Sequence, residues 1–420
     1  GMSGLALLAA QLGAEVSGSD RAESPYMAEL RAAGIEPAIG HDAAHVPDAG
    51  EIVRSTAVPP DNPELAAARD RGLGELHRSE LMAQLAALKR CIAVSGTHGK
   101  TTTSAMIVCA LRGAGMDPAY LVGGELRETG ANAGWGTGEW IVVEADESDR
   151  SLLALAPEIA VLTNAELDHH TTYGSRLDLE ATLREFLTGP AHAVIWDRPE
   201  LLALRDGDAV AFEVADPVSD AAGSRFECDG VTVELRIPGR HNARNAAAAL
   251  AAARLAGADP AAAAAALTGF RGTARRFEEV GRTAAGALVY DDYAHHPTEV
   301  AATISAARTL GPRRVVAAFQ PHLYSRTAAL WREFGAALAA ADVAVVTDVY
   351  RARERAEEHP GISGRLIAQA AADAGRGRPV AWMPTLGQAE RFLAAELRKG
   401  DLLLTMGAGD VDALARAVVA

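Results

Sequence analysis

Residues 94–104 read VSGTHGKTTTS. Two glycines, one lysine and three threonines in that order can do one thing well: they can hold a nucleotide phosphate. Gly96 and Gly99 let backbone N–H groups turn inward, Lys100 brings a point charge to the outer phosphates, and Thr101 offers a hydroxyl to Mg²⁺. Thr97, His98 and Thr102 complete the loop. A strict phosphate loop carries a glycine five residues before its Gly-Lys pair, and Val94 stands there, so this is the shorter G-x-x-G-K-T form. The alternative is a glycine turn before an ordinary helix. The order of strand, Gly, Lys and Thr argues against it.

Other clusters supply what a phosphate loop needs around it. Glu144, Asp146, Glu147 and Asp149 follow an apolar run. Alone they read as a solvated loop. Beside a phosphate loop, a strand-end carboxylate is the expected second Mg²⁺ anchor, and Glu144 lies nearest the strand. Asp168, His169 and His170 end the next apolar run, and a neutral imidazole there could join a metal site. In HNARN at 241–245, Asn242 could cap a helix and Asn245 could pair with an adenine edge. Arg275 and Arg276 could reach the phosphates. DDYAHHPTE at 291–299 crowds Asp291, Tyr293, His295 and His296 at one strand end. QPHLYSRT at 320–327 adds His322, Tyr324, Ser325 and Arg326, whose planar fork suits a substrate carboxylate.

The elements that must position these groups are legible in outline. EVSGSD, EIVRSTAVPP, CIAVSG, WIVVE and IAVLTN read as strands that deliver polar residues at their carboxyl ends. ALVYDDY, RRVVAAFQPH, VAVVTDVY and LLLTMGAG form a second such series, separated by helical stretches. The alanine-rich tract 245–267 predicts two helices and a turn. Pro297-Thr298-Glu299 predicts a helix start. GMSGLALLAAQLGAEVSGSD resembles the second half of a Rossmann opening, so a first strand is expected before Gly1. The expected division is 1–87, 88–271 and 272–420. The fold class is α/β throughout.

Composition narrows the function. A net charge of −15 argues against nucleic acid as a partner. No run of about 18 apolar residues predicts a membrane span. Only three lysines occur, so Lys100 is not in the loop through general abundance. Cys91, Cys109 and Cys228 lack metal or redox spacing and read as reduced thiols, which points to the cytoplasm.

GTHGKTTT, EADESD, TNAELDHHTTYG, GRHNARNAAAA, RRFE, DDYAHHPTE and FQPHLYSRT, in this order, resemble the Mur ligases. The resemblance implies a Rossmann-like N-terminal UDP-binding domain, a central P-loop ATPase domain with a mostly parallel sheet, and a C-terminal Rossmann-like domain for the amino acid. It implies ATP and Mg²⁺ as cofactors. GMSGLA, EADESD and DDYAHHPTE favour UDP-N-acetylmuramate and L-alanine as substrates, with no membrane partner, in a monomer or weak homodimer. By the same resemblance Lys100 and Thr101 match ATP and metal positions, and Glu144 and His169 match metal positions. Asn245, Arg276 and Asp291 match nucleotide contacts. Tyr293, His295 and Arg326 match the amino-acid region, and Ser19, Asp20 and Ser55 match the UDP-sugar side.

The implied chemistry moves the γ-phosphate of ATP onto a carboxylate, and an amine then attacks the acyl phosphate. Lys100 and Arg276 would offset the charge where phosphate meets carboxylate. His295 is the expected base, an ordinary histidine having a pKa of about 6.5. Alternatives are a ligase that joins a whole tripeptide to the same sugar nucleotide, a P-loop regulatory ATPase, and a Rossmann oxidoreductase, which leaves Lys100 and Thr101 unexplained.

Overall fold

The computed structural model describes residues 1–420 apart from His170, Thr171, Arg353 and Ala420. The expectation for His170 therefore lies outside the described residues. The chain divides into two compact units. One comprises Gly1–Glu166, Leu177–Glu213 and Ala246–Ala266; the other comprises Leu167–Arg176, Val214–Asn245 and Leu267–Ala420.

The first unit is built on a seven-stranded sheet. Its spatial order is Val210–Phe212, His192–Trp196, Ile159–Leu162, Arg90–Ser95, Trp140–Glu144, Ala119–Leu126, Ala131–Gly134. All neighbours are parallel except the last pair. Arg90–Ser95 lies centrally, and the chain continues first on one side of it and later on the other. That is a switch point, where the loops after neighbouring strands diverge and leave a crevice. The strand is buried on both faces, with Ile92, Ala93 and Val94 fully enclosed, which is why it reads as an unbroken apolar run. Towards the amino end, the helix Met2–Gln11 lies so close to the strand Ala131–Gly134 that a Cβ on Gly4 would meet that of Ala133 at 3.2 Å. Two short parallel pairs accompany it, Ser19–Asp20 with Ala38–Ile39 and Glu51–Arg54 with Gly74–His77.

The second unit holds a six-stranded sheet in the order Glu278–Arg282, Leu288–Asp292, Asp401–Met406, Arg314–Phe319, Val343–Val346, Val380–Trp382. Only the first pair is antiparallel. Strand periodicity sorts the core. Val315, Ala317, Phe319, Leu402, Leu404 and Met406 face one helical layer, and Val316, Ala318 and Leu403 face the other. The four strands expected from the sequence are all present.

Two details differ from expectation. Residues 218–235 form a three-stranded antiparallel sheet that the sequence analysis does not anticipate, because its short strands carry half their residues in solvent and break the apolar signal. Asn242 is not a helix cap. The helix already begins at Arg240, and the Asn242 amide donates back to the Pro238 carbonyl at 2.8 Å. The alanine-rich tract does form two helices, Arg240–Leu255 and Pro260–Leu267. Among the described residues, no helix is long and apolar enough to cross a membrane.

Gly335 shows how tightly these layers meet. It sits inside the helix Tyr324–Leu338, where alanine is intrinsically better by about 1 kcal/mol. A Cβ there would approach Ala370 C at 2.6 Å and Ala371 N at 2.7 Å in the facing helix. Backbone cannot swing aside, so overpacking, typically about 1–3 kcal/mol, outweighs propensity. Gly335→Ala is expected to lower the thermal unfolding midpoint by several degrees; an unchanged or raised midpoint would contradict this packing.

Candidate functional sites

The glycine loop is held by the neighbouring strand end. Gly96 has φ +126° and comes so close to that strand end that a Cβ would collide with Thr163 Oγ1 and lie 2.8 Å from the Asn164 carbonyl. The Thr163 hydroxyl donates to the His98 carbonyl at 2.6 Å. Asn164 brackets the same residue, accepting from His98 N–H at 2.9 Å and donating to its carbonyl at 2.9 Å. The Thr97 hydroxyl donates to the Glu166 carbonyl and accepts from the Glu166 N–H, at 2.8 and 2.9 Å. Gly99, at φ +79°, hands the chain into the helix Lys100–Gly113, whose first turn carries the buried Thr101 and Thr102. Amide groups at such a start favour an anion.

Two carboxylates meet this helix start. Glu144 accepts from the Thr101 hydroxyl at 3.1 Å and from Gly123 N–H at 2.7 Å. The hydroxyl and carboxylate make an oxygen-only donor pair, the chemistry a hard divalent cation prefers. Lys100 is held between the Gly96 carbonyl at 2.8 Å and Glu147 at 2.9 Å. Burial opposes its charge, but Glu147, Asp146 and Glu144 outweigh burial and raise its pKa, so it stays an ammonium. The acidic run EADESD is therefore not one uniform patch. Glu144 faces the threonine, Glu147 faces the lysine, Asp146 accepts from Ser148, and Asp149 pairs with Arg78 at 2.7 Å. Thr163, Asn164 and Gly123 are absent from the residues the sequence singled out, and Glu147 stands there only as one of an acidic run. Only the first two had a signal, their place at the end of an apolar strand.

In the second unit the two adjacent arginines part ways. Arg275 donates to Asp291 at 3.0 Å and to the carbonyls of Gly407 and Gly409 at 2.9 and 3.0 Å. Arg276 makes looser contacts, 3.8 Å from Glu299 and over the Tyr293 ring. Arg275 and Phe277 both have left-handed backbone, at φ +58° and +50°, which sets Arg276 apart from its neighbours. Asp292 fixes that turn by accepting from Phe277 N–H and Ala294 N–H, both at 2.8 Å. Asp291, expected at the nucleotide, is buried, and its carboxylate is engaged by Arg275 and by Thr405 at 2.7 Å. His295 Nδ1 lies 2.9 Å from the Tyr293 carbonyl. Burial, aided by Arg326 and opposed by Glu299, pushes its pKa down to about 3, so the ring is neutral near pH 7.

Arg326 does not present an open fork. It is 3% exposed, and its Nε and Nη2 donate to the two oxygens of Asp168 at 2.8 and 3.0 Å. Two charges buried together satisfy each other, whereas one alone would be costly. Asp168 also accepts from the N–H of His169, which has φ +53°.

The remaining residues lie apart from these groups in the sequence. Asn245 is half-buried on the helix Arg240–Leu255. The Ser19 hydroxyl donates to Glu64 at 2.7 Å. Asp20 accepts from Arg21 N–H, and the Ser55 hydroxyl accepts from Ala57 N–H at 3.2 Å.

Comparison with known proteins shows the family. Three family models match in chain order: Mur ligase family, catalytic domain, over residues 1–90; Mur ligase middle domain over 94–253; and Mur ligase, glutamate ligase domain, over 275–409. The UDP-N-acetylmuramate–L-alanine ligase of Mycolicibacterium smegmatis is 44% identical, covering 99% of this chain and 91% of that protein. The enzyme of the same name from Kineococcus radiotolerans is 48% identical over 98% and 92%. The crystal structure of UDP-N-acetylmuramate–alanine ligase from Thermotoga maritima superposes with a TM-score of 0.85 at 27% identity, covering 100% of this chain and 95% of that one. With the phosphate loop, the strand-end acids and the arginine–histidine clusters falling inside these matched segments, the chain belongs to the Mur ligase family.

Proposed function

We propose that this chain is an ATP-dependent ligase that joins L-alanine to the carboxylate of UDP-N-acetylmuramate through an acyl phosphate, in the cytoplasm, as a step of peptidoglycan synthesis. The observation that carries the reading is the phosphate loop with its buried ammonium and oxygen-only donor pair, in a chain that aligns along nearly all its length with ligases of that name. The proposed domains are 1–87 for the UDP-sugar, 88–271 for ATP and 272–420 for the amino acid.

The proposed roles follow from the chemistry. Gly96, Thr97, His98, Gly99, Thr101 and Thr102 cradle the phosphates with backbone amides and hydroxyls. Lys100 sits beside the outer phosphates and offsets charge as phosphate and carboxylate approach. Arg276, more loosely held than Arg275, is proposed to serve the same end. Mg²⁺ fits the hydroxyl–carboxylate pair of Thr101 and Glu144, and bound there it would neutralise phosphate charge; His169 is a proposed further ligand. Asn245 is proposed at the adenine, Ser19, Asp20 and Ser55 on the UDP-sugar side, and Tyr293 and His295 at the amino acid. A ring with a pKa of about 3 is a weak proton sink. His295 therefore accepts a hydrogen bond from the amine and aims its lone pair, and the proton leaves to solvent or phosphate.

Three outcomes test this. Steady-state ADP release with UDP-N-acetylmuramate should depend on added L-alanine, and hydroxylamine should trap the acyl phosphate formed in its absence. A preference for tripeptide over L-alanine, or ADP release with no acceptor, would reject the substrate assignment. Lys100→Ala should reduce ADP formation by roughly a thousandfold or more, the scale of lost electrostatic stabilisation, while retaining UDP-sugar binding; near-normal turnover would exclude the loop assignment.

The third concerns acid. His241, with a pKa pushed down to about 4, and His295, at about 3, are neutral in the folded chain where an unfolded histidine, near 6.5, takes a proton. Between those values the unfolded state binds more protons, so stability falls as pH drops from about 6.5 towards 4. His295→Gln should flatten this decline in the unfolding midpoint. An equally steep decline in the variant would contradict a neutral buried ring.

A further inference from the structure

The loop between the strands Ala131–Gly134 and Trp140–Glu144 is shaped to hold a cation. Gly136 and Gly138 leave no room for a side chain: a Cβ would lie 2.2 Å from the Asp117 carbonyl at the first and 1.8 Å from the Met116 carbonyl at the second. The Asp117 carboxylate accepts from the Thr137 N–H and hydroxyl, both at 2.8 Å, and the Asp117 carbonyl accepts from Gly138 N–H at 2.9 Å. So fixed, the carbonyls of Gly136 and Gly138 converge beside the Trp135 ring. An ammonium has three donors and suits such a mix of carbonyls and an indole face.

The chain fills this place itself. Lys89 Nζ donates to the Gly136 carbonyl at 2.8 Å and to the Gly138 carbonyl, and lies 4.9 Å from the Trp135 ring centroid. Lys89 belongs to the short linker between the helix Arg78–Ala86 and the central strand Arg90–Ser95. Leu88 in that linker is 61% exposed, so apolar burial does not hold it. The ammonium does, aided by Arg90 N–H on the Glu139 carbonyl at 2.9 Å.

The same loop reaches two further pieces. Trp135 N–H donates at 2.6 Å to Gln11, the last residue of the helix Met2–Gln11. Met116 and Asp117 follow the helix Lys100–Gly113, whose first turn is the phosphate site. The clamp is therefore a strand's length from Gly96, about 20 Å for six residues at about 3.3 Å each.

We infer that Lys89 is a positioning residue: its ammonium, caged by the Gly136 and Gly138 carbonyls and the Trp135 ring, locks the linker so that residues 1–87 present a substrate carboxylate in line with the phosphate loop. This rests on the reading above that residues 1–87 hold the sugar nucleotide and 88–271 hold ATP. Each substrate then binds within its own segment, and their mutual alignment depends on Lys89. Misplacing reacting atoms by about 1 Å can slow a reaction roughly a hundredfold, and a small turn of a linker displaces everything beyond it.

The test measures acyl phosphate, trapped by hydroxylamine, in a single turnover of the whole chain with ATP and UDP-N-acetylmuramate. Lys89→Met keeps the stem and removes the charge. It should slow this step by roughly tenfold to a hundredfold. Dissociation constants for a non-hydrolysable ATP analogue and for UDP-N-acetylmuramate should stay within about twofold, since neither ground-state contact is lost. Amide hydrogen exchange should quicken at 87–90 and 134–139 and not at 94–100. Lys89→Arg, which keeps a cation and its donors, should recover most of the rate.

Faster exchange with an unchanged rate makes Lys89 merely structural and overturns the proposal. So does a weakened affinity for the ATP analogue, which locates the effect in the phosphate loop, or equal slowing in Lys89→Arg and Lys89→Met. Should Lys89→Met fail to fold, Gln11→Ala removes the other tie to the loop and should slow the same step with unchanged affinities; a normal rate there overturns the proposal. If wild-type protein forms no acyl phosphate, the proposed function fails. The clamp is then read from exchange alone, and no quickening in Lys89→Met overturns it.

Discussion

Everything at the phosphate loop depends on how closely two strand ends approach. Gly96 passes Thr163 and Asn164 at a distance no side chain could share, and the hydroxyl and amide of those two residues then take both backbone groups of His98. The loop is thereby shaped before any nucleotide arrives. Preorganised donors cost no rearrangement at the moment of reaction, which is where electrostatic catalysis gains most. The same closeness explains why a shortened glycine motif suffices. The neighbouring strand does the folding that an additional glycine does elsewhere.

Fold and loop were legible because their signals are local. Apolar runs ending in polar residues mark buried parallel strands, and the Gly-Lys-Thr order marks a helix start. Other features were not local. Nothing in RRFE says which arginine is structural. The answer lies in Gly407 and Gly409, whose carbonyls capture Arg275 from more than a hundred residues away. DDY likewise hides a division of labour. Asp291 holds a side chain, while Asp292 holds two backbone amides. The ion pair of Arg326 was hidden for the same reason. Its partner, Asp168, lies 158 residues upstream and was itself read as part of a metal-binding cluster.

The small sheet at 218–235 was missed on different grounds. Its strands bury half their residues or fewer, and its segment is polar enough to pass for a loop. Half-exposed antiparallel pairs carry a weaker pattern than strands covered on both faces.

The alanine-rich helix Arg240–Leu255 carries a consequence of its own. Ala246, Ala247, Ala248, Ala249, Ala251, Ala252 and Ala253 are all buried, so the helix is enclosed on nearly every side by a side chain that has no rotamers to lose. Ordering such a segment incurs almost no side-chain entropy, but each residue also contributes few contacts. Cohesion there comes from proximity of backbones instead of from bulk. Little can be lost from such an interior, since alanine has only one methyl to remove. Its genetic vulnerability is therefore one-sided: the damaging changes in this helix are those that add volume.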